Sequence, residues 1–201
     1  MNFTRQYLQE TADIASRVDE AAVEAVVQLI HDTRQAEGRL FFLGVGGSAG
    51  NASHAVNDFR KIVGIETYTP TDNVSELTAR TNDEGWPEVF RPWLVTSHLS
   101  ARDMLFILSV GGGNLERAVS VNLIRAMELA RDRGAKVAAI VGRADGYAAT
   151  HSDACIVVPN ASPERVTPHS EGFQSILLHL IVSHPQLKQQ QTKWESLCPK
   201  P

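Results

Sequence analysis

Two stretches decide the fold: RLFFLGVGGS, residues 39–48, and MLFILSVGGGN, residues 104–114. Each is a short apolar run that stops at a cluster of glycines. An apolar run of this length, without alternation, suits a strand covered on both faces, as in a parallel sheet. The glycines then turn the chain into a helix. A third run, KVAAIVGRADG at 136–146, repeats the arrangement. Strand, glycine turn and helix, three times over, predict an α/β fold: a doubly wound parallel sheet between two helical layers, Rossmann-like or flavodoxin-like. Ligands of such sheets sit beyond the carboxyl ends of the strands.

Upstream of the first run, residues 3–36 carry apolar side chains at helical spacing, among them Leu8, Ile14, Val18, Val26 and Ile30. The spacing predicts one long helix or two in succession, ended by Gly38. Downstream, a helix is expected over 48–63, a short strand in ETYTP at 66–70, and helices near 74–80 and 87–97. The second glycine run should lead straight into a helix over 115–133, stopped by Gly134. ACIVVPN (154–160) reads as a last strand, 161–168 as loop, and 169–184 as an apolar helix stopped by Pro185. No linker or low-complexity segment interrupts the chain. It is expected to form a single domain over 1–201, with an N-terminal helical segment (1–37), an α/β core (38–185) and a polar tail (186–201).

The 201 residues are 43% hydrophobic and 21% charged, enough apolar material for a full core. The net charge of −4, with no basic run longer than two residues, argues against nucleic acid or an anionic membrane as partner. No apolar stretch approaches the ~20 residues that span a bilayer. The opening MNFTRQYLQETADIA lacks the apolar centre of a signal peptide. Cys155 and Cys198 show neither metal-ligand spacing nor a disulfide framework. A cytoplasmic protein is the expectation.

GVGGS (44–48) and SVGGGN (109–114) each join a buried strand to a helix. Glycine admits positive φ and close backbone approach, and a helix N-terminus offers N–H groups with partial positive charge. Together they make an anion site suited to phosphate. The plainer alternative is that the glycines merely permit tight turns. No GxxxxGK(S/T) is present. The first loop is a degenerate GxGxxA with Ala49 in last place and Glu66 as the acidic residue downstream, so a nucleotide-dependent oxidoreductase fits less well. Arg60, Lys61, Arg80, Arg117 and Arg143 could attract a phosphate, although most such side chains are simply solvated.

At these residues the chain resembles the SIS-domain phosphosugar isomerases, and within them the phosphoheptose (sedoheptulose-7-phosphate) isomerases. The resemblance spans most of the chain. It takes in GVGGS with His54 and Asp58 on the helix behind it, the pair Asn82-Asp83, SVGGGN, VGRADG, and a C-terminal helix bearing Glu171 and His179. It implies an aldose–ketose isomerase with Asp58 and His179 as acid–base pair. It further implies substrate and phosphate binding by Gly46, Gly47, Ser48, Asn82, Asp83, Ser109, Gly111, Gly112, Gly113 and Asn114. Zinc held by His54, Asp58, Glu171 and His179 is implied too, as is a homotetramer in which His179 completes a site partly built by a neighbouring subunit. The chain departs from the family pattern in four places: Val45 stands for asparagine, glycines for the hydroxyls of the second loop, Asp58 for glutamate and Glu171 for glutamine.

The chemistry suits those residue types. An aldose–ketose isomerisation moves a proton between adjacent carbons through an enediol, and needs a base, an acid and a group that steadies the enediolate. His54 and Asp58, four apart on a predicted helix, share a face. Glu171 and His179 are eight apart, about 80° around a helix. Nitrogen and oxygen donors of this kind suit zinc. The bland alternatives are a core histidine on the apolar helix FQSILLHLIV, an ordinary surface pair at 54 and 58, and a simple turn at Asn82–Gly85. No role falls to His31, His98, His151, His169 or His184. A second functional class remains open: a non-catalytic phosphosugar-binding regulator or assembly protein, such as the factor of this fold that binds the bacterial replication initiator.

Overall fold

The three apolar runs that end in glycine lie side by side at the centre of one sheet. The computed structural model describes residues 2–197, and Cys198 lies outside them. β1 (Leu40–Leu43) pairs with β3 (Met104–Ser109), and β3 pairs with β4 (Lys136–Val141). β2 (Thr67–Tyr68) and β5 (Ala154–Val157) form the edges of a parallel five-stranded sheet in the order β2-β1-β3-β4-β5. The doubly wound parallel sheet expected from the sequence is therefore present. Its connections are α1 (Phe3–Ser16), α2 (Glu20–Gln35), α3 (Gly47–Asp58), α4 (Val74–Asp83), α5 (Phe90–Thr96), α6 (Val121–Arg133), α7 (Tyr147–His151) and α8 (Val166–Ser183), with α9 (Lys193–Leu197) beyond them.

Both faces of the sheet are covered, which is why β1 and β3 are apolar throughout. Phe42, Phe106 and Ile140 share one core with Val26 and Ile30 of α2, Ala52 and Ala55 of α3, and Leu177 and Ile181 of α8. Phe41, Leu105 and Ile107 share the other with Leu94 of α5 and Leu123 and Met127 of α6. The chain leaves β1 towards β2, then returns past β1 to lay down β3, β4 and β5 on the other side. The crevice between the carboxyl ends of β1 and β3 is thus the topological switch point, where ligands of such sheets bind. No helix among the described residues is long and apolar enough to cross a membrane.

The N-terminal segment agrees with one of the two arrangements its spacing allowed, two helices in succession, because Asp19 caps α2 by accepting hydrogen bonds from the N–H groups of Ala21 and Ala22. Several boundaries differ from those read in the sequence. The helix expected over 48–63 ends at Asp58 and widens into a π turn, Phe59–Val63, closed by Gly64 at φ 70°. The helix expected from 115 begins at Val121. Residues 114–119 form an excursion closed by an antiparallel bridge between Asn114 and Val119, and the Asn114 side chain accepts from the N–H of Arg117 at 2.8 Å. α4 runs through Asp83, capped at its start by Asn73, so Asn82 and Asp83 are helical rather than part of a turn. α8 starts at Val166; Pro168 sits in its first turn, where its missing N–H costs nothing.

Candidate active site

The two glycine loops flank the switch point. In the first, Gly46 caps α3 at φ 64°, and a Cβ on Gly44 would stand 2.5 Å from the carbonyl oxygen of Ser48. Ser48 itself is buried. In the second, Gly112 and Gly113 have positive φ, and their carbonyls accept from the N–H groups of Ala148 and Tyr147 at 2.8 and 3.0 Å. A Cβ on Gly146 would collide with the carbonyl oxygen of Gly111. Backbone-to-backbone packing against the turn after β4 therefore accounts for much of this glycine cluster. Ser109, the single hydroxyl of that loop, is buried and accepts from the N–H of Gly112 at 3.0 Å.

α3 and α8 pack along one another, and polar residues line the seam between them. At one end the Glu171 carboxylate lies against Gly47, so close that a Cβ there would be 2.5 Å from Oε2. Next, the Asn51 amide donates to the Glu171 carbonyl at 2.9 Å and to Gln174 Oε1 at 3.1 Å. One turn further, His54 Nε2 and His179 Nε2 are 3.0 Å apart. Asp58 Oδ2 lies 3.2 Å from the first and 3.5 Å from the second. His54, Asp58 and His179 thus form the one group among the described residues whose donor atoms could surround a metal ion. Both imidazoles are about half exposed, while Asp58 is 15% exposed. Glu171 stands outside this group, so the four ligands implied by the resemblance become three. The reason is distance along the helix, because eight residues at ~1.5 Å each separate Glu171 from His179.

The chain matches the family model of the SIS domain over residues 6–142. Its relatives include the lincomycin biosynthesis protein LmbN of Streptomyces lincolnensis, 34% identical over 195 residues, 92% of this chain and 69% of that protein. The phosphoheptose isomerase of Chlorobaculum tepidum is 30% identical over 183 residues, 87% of this chain and 84% of its own. This chain belongs to the SIS-domain phosphoheptose isomerase family. Its standing as an enzyme of the sugar-phosphate isomerase class rests on these relatives. Among solved structures, phosphoheptose isomerase GmhA from Neisseria gonorrhoeae superposes with a TM-score of 0.76 at 23% identity, over 90% of this chain and 92% of that one. A phosphoheptose isomerase from Francisella tularensis gives 0.75 at 18% identity, over the same shares. These two share its fold.

Within the SIS family frame, the donor set fits a divalent cation. Zinc bonds of about 2.0–2.1 Å at tetrahedral angles put neighbouring donor atoms ~3.3 Å apart. The three separations seen, 3.0, 3.2 and 3.5 Å, bracket that value. Asn82 and Asp83, by contrast, are exposed in the last turn of α4, where the amide of Asn82 donates to Asp83 at 2.7 Å. Their hydrogen bonds do not tie them to either glycine loop. Asn51 and Gln174 were not singled out by the sequence, although a polar residue three positions after Glu171 on an apolar helix is the signal that could have marked Gln174. Its Nε2 is buried and has no hydrogen-bond partner.

Proposed function

We propose that this chain is an aldose–ketose isomerase of a phosphorylated sugar, converting sedoheptulose 7-phosphate to D-glycero-D-manno-heptose 7-phosphate through an enediol. The observation that carries the reading is the meeting of Asp58 and His179, at 3.5 Å, on two helices whose N-terminal ends border the switch point. A carboxylate beside an imidazole supplies both proton carriers. Asp58 takes the proton from the carbon next to the carbonyl. His179 delivers one to the carbonyl oxygen, and His54 steadies the enediolate charge. Reversal of these steps at the neighbouring carbon completes the isomerisation. Gly46, Gly47, Ser48, Ser109, Gly111, Gly112, Gly113 and Asn114 hold the substrate and its phosphate, with Asn82 and Asp83 on its hydroxyls.

His54, Asp58 and His179 would hold zinc, which when bound polarises a sugar carbonyl. Three protein donors with an open position is the arrangement of a catalytic rather than a structural zinc site. We further place the protein in the cytoplasm as a single-domain homotetramer.

The test is NMR of purified protein with sedoheptulose 7-phosphate, alongside elemental analysis. The wild type should convert the sugar, and Asp58→Asn and His179→Gln should each lower kcat by about 10²-fold or more. About one zinc per chain, lost in the Asp58→Ala/His179→Ala double variant, would establish the metal. Substrate left unchanged with and without zinc would sink the reading. The hydroxyl-poor second loop favours one other function, a phosphosugar-binding regulator. Calorimetry showing tight binding without turnover would favour it.

A further inference from the structure

We propose that Arg117 and Arg143 form a phosphate clamp at the mouth of the second glycine loop, taking the place of the hydroxyls that the loop lacks. The proposal rests on the sugar-phosphate reading above. A cleft of about 200 Å³ opens there, lined by Gly111, Gly113, Asn114, Arg117, Arg143 and Asp145 among others. At roughly 30 Å³ per water, that is room for a phosphoryl group and several waters. Gly111 has open space where a Cβ would be. Among the described residues, the N–H groups of Gly111 and Gly113 make no hydrogen bond. Two unpaired donors therefore border the cleft, and Ser109 is already engaged by Gly112.

The cations are placed by structure rather than by chance of the surface. Arg117 sits on the excursion between β3 and α6, held by the Asn114–Val119 bridge and by its own N–H on the Asn114 side chain. Among the described residues its guanidinium has no acidic partner within ion-pair distance. Arg143 lines the same cleft from the turn after β4 and donates to both Asp145 oxygens, at 2.9 and 2.8 Å. That pair is open to water, with side chains 56% and 71% exposed, and an exposed pair of this kind is weak. The Arg143 guanidinium holds the Asp145 carboxyl below its ordinary range, and Arg117 adds to the pull. A carboxylate already rests within the field of both arginines, where a phosphate dianion would be held more strongly. The planar guanidinium fork matches phosphate oxygens two at a time. Asp145 acts as the competing anion that the phosphate displaces.

The experiment uses the full chain and inorganic phosphate at low ionic strength, with binding followed by calorimetry and by ³¹P NMR. Arg117→Ala and Arg143→Ala should each weaken binding by about tenfold or more. Asp145→Asn, which removes the competitor, should tighten it. A variant that gains affinity guards against mistaking misfolding for loss of a contact. Undetectable phosphate binding by the wild type, unchanged affinity in both arginine variants, or weaker binding by Asp145→Asn would each overturn the clamp. Arginine-dependent phosphate binding without conversion of the heptulose phosphate would support the clamp and count against the isomerase reading alone.

Discussion

Gly113 shows how a single residue sets the second loop. Its φ is 87°, and a Cβ there would stand 2.9 Å from Ile124 Cγ1. Gly113→Ala should lower stability by about 1–3 kcal/mol through overpacking, with strain at positive φ added. Urea unfolding with an unchanged m-value would register it. Cys155 makes a chemical prediction: burial pushes its thiol up to about 11. The thiolate is the reactive form, so in a Cys198→Ser background Cys155 should react slowly with a disulfide reagent at pH 8 until the chain unfolds. At this scale the sequence disclosed His54 and Asp58, because four residues on a helix guarantee a shared face. It could not disclose which residues of α3 each would meet across the seam: Glu171 meets Gly47, and His179 meets His54.

Glu10 ties α1 to Arg165 and His169 near the start of α8. The Arg165 guanidinium donates twice to Glu10, both at 2.8 Å, and His169 Nε2 lies 3.0 Å from it. Tyr7 stacks on His169 at 4.4 Å. Hydrogen bonds from Arg165 first and His169 second hold the Glu10 carboxyl at about 2, against an ordinary value of 4.5. A lowered carboxyl contributes stability above its unfolded pKa and loses it as pH falls towards its folded one. Glu10→Gln should therefore destabilise the protein at neutral pH, and the gap from wild type should close as pH drops from about 4.5 towards 2. Thermal midpoints measured across that range would show it. The elements themselves were largely legible, since buried strands and glycine turns leave a strong pattern. The excursion at 114–119 was not. Leu115, Val119 and Leu123 repeat every four residues and imitate a helix, yet Leu115 and Val119 are about half exposed. Spacing without burial gives periodicity no force, and the Asn114 turn prevails.

The proposed tetramer would cover apolar side chains that the single chain leaves exposed. Phe3 and Leu8 on α1, and Ile176 and Leu180 on α8, are 43–65% exposed. Ile176 and Leu180 share the helix with His179, so a subunit docking on that face would also wall the candidate site. Light scattering should find a tetramer, and Ile176→Asp should shift it to smaller species with an unchanged circular dichroism spectrum. A wild-type monomer would refute the assembly. The seam between α3 and α8 has one more consequence. Its contacts, Gly47 with Glu171, Asn51 with Gln174 and His54 with His179, are graduations on two rulers laid edge to edge. A slip of α8 by one helical turn, ~5.4 Å, would misalign all of them together. The His–Asp–His group is then quantised: it is read at one setting of the rulers or not at all, and Asn51, whose side-chain hydrogen bonds go to Glu171 and Gln174 rather than to its three members, helps to hold the setting.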